Sequence, residues 1–330
     1  MRRLSDEFLQ SSFSHEEIDL CLTYFPKGLV GVDVETTGLS APFHEIIEFG
    51  AVKITSEGKI ESWQELVKPV TTSPEQTFEF HKISSEMLQD AGQVNIVLPK
   101  FLEFLGTSSV CAHNAQYDVG FISSDIIHQN VQNIMNDVYD TIKLAKNVWP
   151  AGKKEASPDR PQNFKLSTLA SFFSIDFTHH IAHEDAFICL KILLKMLKIL
   201  NKEKDLSKSA RQKLKSQFFY ARFNDFEKIK KSMLTGTKNE KIQKLIGRIN
   251  EKGNLTIVYK GGSLRNLRRP VTPLSILETP QGRILYAKCL VTNFNKNFML
   301  KKITQIRDLD EEEELDYLIS TLKKELEKND

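Results

Sequence analysis

Residues 28–35 read Gly-Leu-Val-Gly-Val-Asp-Val-Glu, an apolar, β-branched run that fits a buried strand and little else. It nevertheless ends on two acids. Side chains alternate across a strand, so Asp33 and Glu35 share one face while Val32 and Val34 share the other. Adjacent carboxylates at the end of a central strand repel one another and lose hydration, at a cost of several kcal/mol (order of magnitude) unless they are paired or bound to a cation. A strand end that reaches solvent with its acids at the rim is the plain alternative. Either way, the strand belongs inside a sheet with its carboxyl end left open.

The flanking segments supply that sheet. Residues 44–54 and 59–67 read as two more strands joined by Ser56-Glu57-Gly58, an antiparallel meander. Strands and helices then alternate. A helix over 98–105 stops at Gly106, a short strand covers 110–113, a helix follows over 117–127, and Val138-Tyr139 leads into a helix over 140–148. Residues 149–162 are a Pro-, Lys- and Ser-rich surface loop, followed by helices over 166–173 and 183–200. Strands first and strand–helix alternation afterwards predict an α/β domain over 28–200, a mixed β-sheet covered by helices. Before it lies an N-terminal helical extension, residues 1–27, stopped at Pro26. After it come a basic helical connector (201–252), a run of short strands at 255–260, 269–277, 283–291 and 298–302 that predicts a small β-barrel over 253–307, and an acidic amphipathic helix over 308–330 with Leu315, Leu318, Leu322 and Leu326 on one stripe.

Charge is distributed unevenly along the chain. Residues 1–201 carry 17 Lys/Arg against 26 Asp/Glu, whereas residues 202–250 carry 14 against 5 and residues 251–307 carry 11 against 2. A lysine-rich run is often only a solvated helix face, but two adjacent basic segments favour a surface for phosphates. The four cysteines, at 21, 111, 189 and 289, are too far apart for a CxxC metal knuckle, and they predict a reducing, cytoplasmic setting. The most apolar helical stretch, 187–200, is interrupted by Lys191, Lys195 and Lys198, so no membrane span is expected; the N-terminus lacks the apolar core of a signal peptide.

Three further segments change the meaning of the strand-end acids. Cys-Ala-His-Asn-Ala-Gln-Tyr-Asp-Val-Gly-Phe (111–121) sets Asp118 one turn into a helix, and His-His-Ile-Ala-His-Glu-Asp-Ala (179–186) sets His180 and Asp185 at a helix entry. Singly, each reads as capping or surface charge. Together with Val-Asp-Val-Glu-Thr-Thr-Gly-Leu (32–39), they resemble the three motifs of DnaQ-like 3′→5′ exonucleases of the DEDDh subgroup, to which the bacterial replicase proofreading subunit also belongs. Residues 45–53, 80–83, 140–141 and 165–169 add secondary matches, so the resemblance spans about 28–200.

The resemblance implies an RNase H-like fold and a two-metal exonuclease, a phosphodiester hydrolase. Asp33, Glu35 and Asp185 would hold one divalent cation, Asp33 and Asp118 a second, and His180 would act as general base. Hard oxygen ligands favour Mg²⁺ or Mn²⁺. Thr36, Thr37 and Leu39, with His113 and Asn114, are expected near the terminal nucleotide. Single-stranded 3′ ends are the implied substrate, DNA ahead of RNA, in proofreading or repair, with a DNA polymerase as a candidate partner. An RNA-trimming exoribonuclease of the same fold stays open, as does a nucleic-acid-binding or ligand-sensing adaptor with a vestigial nuclease. Residues 254–307 resemble the WYL-type domain, a small SH3-like barrel, through Leu255-x-Ile257-x-Tyr259, Arg269-x-Val271-x-Pro273-Leu274 and Leu285-Tyr286-Ala287; the Trp-Tyr-Leu run itself is absent. Arg265, Arg268 and Arg269 beside a glycine turn are candidates for tethering nucleic acid through phosphates.

Overall fold

The computed structural model describes the chain except residues 1–3, 40, 42–43, 71–72, 130, 132–133, 151–159, 176–180, 202–205, 224–229, 232–238, 280–281, 310–311 and 328–330. It divides into two units, Met1–Asp225 and Phe226–Asp330.

In the first unit, α1 (Asp6–Ser12) and α2 (His15–Tyr24) precede β1 (Leu29–Thr36), β2 (Ile46–Ile54) and β3 (Ile60–Lys68). Ser14 caps α2 in a reciprocal box with Glu17. A short helix α3 (Phe78–His81), β4 (Gly92–Gln93), α4 (Val94–Leu105), β5 (Ser109–Ala112), α5 (Gln116–His128), β6 (Asp137–Asp140), α6 (Thr141–Val148), α7 (Leu166–Phe172) and the long α8 (Ala182–Asn201) follow. The unit ends with α9 (Lys208–Phe218) and β7 (Phe219–Arg222). The strands form one mixed sheet in the order β4-β3-β2-β1-β5-β6-β7, with β1 antiparallel to β2 and parallel to β5. This is the mixed α/β sheet expected from the strand–helix order.

Helix α8 is buried along most of its length and crosses β1 and β2. On the opposite face Phe49 packs on Phe101 of α4 and on Trp63 of β3. The N-terminal helices lie in the same core as α8, with Leu9, Phe13, Cys21 and Tyr24 buried.

The connector departs from the all-helical expectation. Within 201–252, α9 and β7 belong to the first unit, and β7 closes its sheet as an antiparallel edge beside β6. Phe218 and Phe219 both reach the ring of Tyr139, so an apolar patch of only a few residues, hidden among lysines, decides the placement.

The second unit holds β8 (Lys230–Lys231), α10 (Glu240–Glu251), β9 (Leu255–Tyr259), β10 (Arg268–Thr279), β11 (Gly282–Cys289), β12 (Asn295–Met299), β13 (Ile303–Asp308) and α11 (Glu312–Glu327). Its antiparallel sheet runs β12-β11-β10-β9-β13, with β8 also paired to β10. Ile242 and Leu245 of α10 pack with Leu255, Ile257, Val271, Leu285 and Phe298. Strand β13 lies beyond the last strand read from the sequence. Of the leucine stripe on α11, Leu322 is buried and Leu326 packs beside it. No helix among the described residues is long and apolar enough to cross a membrane.

Candidate active site

Two glycines let α8 approach the sheet closely. A Cβ on Gly31 of β1 would stand 2.3 Å from the Ala186 carbonyl oxygen, and one on Gly50 of β2 would stand 2.1 Å from the Ala182 carbonyl carbon. Gly50 pairs with Asp33 across the strands. The first turn of α8 therefore lies on the strand pair just where β1 turns acidic. Asp185, in that turn, meets Asp33 and Glu35: one carboxylate oxygen from each lies within 4.8 Å of the others. The fourth acid arrives from the first turn of α5. Asp118 is buried, and its Oδ1 accepts the Val34 amide at 3.1 Å, which pins it to β1 between Asp33 and Glu35.

These groups strain one another electrostatically. Burial first, then the charges of Asp118, Asp185, Glu35 and Glu48, push the Asp33 carboxyl well above the usual carboxylate range. Burial, followed by Asp185, Glu48 and Asp118, does the same to Glu35. Burial lifts Asp118 to about 7, against the lowering effect of the Val34 amide. Such a cluster ionises fully only when positive charge enters it. The all-oxygen donor set fits a hard divalent cation such as Mg²⁺ or Mn²⁺, and Asp33, Glu35 and Asp185 are the residues placed to hold one.

A fifth acid was not singled out in the sequence as a site residue. Glu48 pairs directly with Glu35 across β1 and β2 and is buried. One of its oxygens accepts from Gln64 Nε2 at 2.6 Å and the other from the Ala182 amide at 3.3 Å, so it tethers the start of α8 to the sheet. The signal was present: a lone Glu inside Ile-Ile-Glu-Phe-Gly-Ala-Val, two residues before the glycine on the same face.

The expected nucleotide contacts are divided between structural and exposed roles. Thr36 and Thr37 are buried, with Thr36 Oγ1 donating to the Gly38 carbonyl at 2.7 Å and Thr37 Oγ1 accepting the Glu45 amide at 3.0 Å. The Tyr117 hydroxyl bonds Thr36 Oγ1 and the Gly38 carbonyl, fixing this turn against α5. Leu39 is 41% exposed. Asn114 is exposed with a left-handed backbone (φ 64°). His113 bonds Thr141 Oγ1 through Nδ1 at 2.8 Å, and burial pulls its pKa down to about 4, so the ring is neutral. His180 falls outside the described residues. In the second unit Arg265 is exposed, and Arg268 pairs with Glu314 at 2.9 Å. Arg269 is buried with its guanidinium over Phe298, so it does not share an exposed tethering surface with the other two.

Residues 30–193 match the family model RNase_T, described as exonuclease. They belong to that exonuclease family. All three acidic motifs lie inside the span, and the domain is of the DnaQ-like 3′→5′ type. Similar proteins include the PolC-type DNA polymerase III of Clostridium perfringens (strain 13 / Type A), 34% identical over 183 residues. That match covers 55% of this chain and 12% of the relative. The PolC-type DNA polymerase III of Caldanaerobacter subterraneus subsp. tengcongensis is 38% identical over 169 residues, covering 51% of this chain and 11% of the relative. The chain thus spans about an eighth of the length of these relatives. Among solved structures, exonuclease X in complex with 5′ overhanging duplex DNA is 21% identical with a TM-score of 0.40, over 57% of this chain and 99% of that one.

Proposed function

We propose that this exonuclease domain hydrolyses the 3′-terminal phosphodiester of single-stranded DNA and releases 5′-mononucleotides, in proofreading or repair. The convergence of Asp33, Glu35 and Asp185 within 4.8 Å carries the reading. Divalent cations held there, with Asp118 completing the set, supply Lewis acidity and lower the pKa of water. His180 takes the proton from the attacking water, a task suited to an imidazole titrating near neutrality. Asp33, central to the carboxylate cluster, is the acid whose loss costs most. Likeness to the PolC-type relatives favours DNA over RNA and a polymerase as partner. The second unit, with its WYL-type resemblance, is read as an accessory that engages nucleic acid.

The test uses DNA and RNA oligonucleotides labelled at the 5′ or the 3′ end, with Mg²⁺, Mn²⁺ or EDTA. Stepwise shortening of 5′-labelled DNA from its 3′ end, with immediate release of a 3′ label and only with metal, is the expected result. Faster shortening of RNA would transfer the reading to RNA trimming. Binding without metal-dependent shortening would overturn it in favour of an adaptor.

A further inference from the structure

The sheet of the first unit has a second opening, at the end away from the carboxylates. A cavity of about 510 Å³ lies there, with Phe25, Pro26, Lys27, Met135, Lys215 and Arg222 in its lining. Lys27 stands just before β1, residues 106–109 lead into β5, and Asn136 and Asp137 open β6, so the cavity sits at the amino ends of three strands that run parallel. Glu35 is six residues along β1 from Leu29. At about 3.3 Å per residue that is roughly 20 Å, so the cavity is separate from the active site.

Hydrogen bonds between backbone segments fix its walls. The Gly28 amide donates to the Phe25 carbonyl at 2.9 Å, and a Cβ on Gly28 (φ 89°) would stand 2.5 Å from the Ile54 carbonyl oxygen, so only glycine fits that turn. Ser108 Oγ donates to the Lys27 carbonyl at 3.0 Å, and the Ser109 amide to the Gly28 carbonyl at 3.1 Å. Asn136 is buried, and its Nδ2 donates to the carbonyls of Gly106 at 2.9 Å and Ser108 at 2.7 Å. A preformed cavity of this size falls within the range of roughly 300–1,000 Å³ typical of ligand sites.

The lining is cationic and apolar at once. Its one acid, Asp137, pairs with Arg222 at 3.0 Å, whereas Lys27 and Lys215 form no ion pair among the described residues. The Lys215 ammonium lies 4.7 Å from the Phe25 ring centroid and 5.2 Å from that of Tyr139; burial pulls its pKa down, against the raising effect of Asp137. An ammonium partly stripped of water gains from an anion that restores what hydration supplied. Beside the lysines, Met135 is 63% exposed and lines the cavity together with Phe25, Pro26 and Ile134. Phosphate sites gather free backbone amides or an arginine fork. Here the guanidinium already engages Asp137, and the amides of Gly28 and Ser109 already have acceptors. Two point-like ammonium groups among apolar side chains suit carboxylates on a chain that also carries an apolar residue.

We propose that this cavity docks an acidic peptide segment of a protein partner, its carboxylates on Lys27 and Lys215 and an apolar side chain against Phe25, Pro26 and Met135. Charge complementarity carries the choice of occupant, and the site stands independently of the nuclease reading.

The full chain, labelled with ¹³C at its methionine methyls, is titrated in EDTA with fluorescein-tagged Glu-Glu-Leu-Glu-Glu and Glu-Glu-Phe-Glu-Glu. Gln-Gln-Leu-Gln-Gln, Glu-Glu-Ser-Glu-Glu and an oligothymidylate of matching charge are the controls. Fluorescence anisotropy reads affinity, and the Met135 methyl resonance, assigned with Met135→Leu, reads the place. At least one of the two acidic apolar peptides should bind saturably and shift that resonance, with both peptide controls weaker by about tenfold. Lys27→Glu, at an exposed position, should weaken binding about tenfold with the melting temperature unchanged, and Lys215→Met should weaken it as well. Because Lys215 packs on two rings, Lys27→Glu keeps the test decisive if Lys215→Met fails to fold. A still Met135 resonance, unchanged affinity in Lys27→Glu, or equal binding of either peptide control would overturn the proposal. An oligothymidylate that shifts Met135 more strongly than the peptides would overturn it too, making the cavity a contact for nucleic acid.

Discussion

At the scale of single residues, the site depends on what is missing as much as on what is present. Gly50 has no side chain because the backbone of α8 occupies its place, so Gly50→Ala must push Asp185 away from Asp33. A displacement of about 1 Å at a catalytic constellation can cost roughly 100-fold in rate, and a loss of that order in turnover is expected with the fold retained by circular dichroism. His180→Ala should remove turnover and leave Mn²⁺ affinity nearly intact; near-normal nuclease rates in that variant would remove His180 from the mechanism. Asp33 and Glu35 stood out in the sequence because they end an apolar strand, and Asp118 and Asp185 because their segments complete the motif set with them. Glu48 did not, because its partners, the Gln64 side chain and the Ala182 amide, lie 16 and 134 residues away. Arg269 was misplaced for a related reason: alternation says which residues share a face, and only the packed sheet says which face is inward.

At the scale of elements, α8 carries Asp185 and is held from behind by the N-terminal helices. Lys191 reaches Glu17 at 2.8 Å and the Ser12 carbonyl at 2.7 Å, and Lys195 reaches Glu17 at 3.2 Å. The Leu4 amide donates to His183 Nε2 at 2.7 Å. Burial works against an ionised Glu17, but its bonds to Lys191, the Ser14 amide and Lys195 together hold its pKa below the usual value. A depressed carboxylate contributes stability above its unfolded pKa and loses it as the pH falls through its folded one, so this clamp weakens in acid. Glu17→Gln leaves Lys191 buried without its acid and should cost about 3 kcal/mol in chemical unfolding, whereas Glu17→Gln with Lys191→Met should cost less. A loss in the double variant equal to the sum of the losses in Glu17→Gln and Lys191→Met measured singly would mean that the pair is not coupled. The sequence showed a helical extension here but not what it grips, since the contacts join residues more than 170 positions apart.

At the scale of the whole molecule, opposite electrostatic demands sit in separate units: crowded carboxylates in the first, and the buried Arg269 guanidinium in the second. The raised carboxyl pKa values of the first unit mean that its metal-free folded state binds protons that the unfolded chain has released. Stability in EDTA should therefore fall as the pH rises from the ordinary carboxylate range through about 7, where Asp118 titrates, and Mg²⁺ should restore it at pH 8. A melting temperature in EDTA that is flat over that interval would contradict this. A chain ending at residue 225 keeps β7 and should unfold cooperatively. One ending at 201 lacks the strand that covers Tyr139 and should not. That boundary was hidden because β7 offers only a few apolar residues inside a basic run.

The most direct measurement is Mn²⁺ titration followed by electron paramagnetic resonance, on the full chain and on Asp33→Asn. The free-ion signal should be suppressed by the full chain until its carboxylate site fills, and Asp33→Asn should lose most of that suppression. Equal Mn²⁺ uptake by the two proteins would mean that the acids meeting between β1 and α8 do not hold a cation, and the exonuclease account would fail with them.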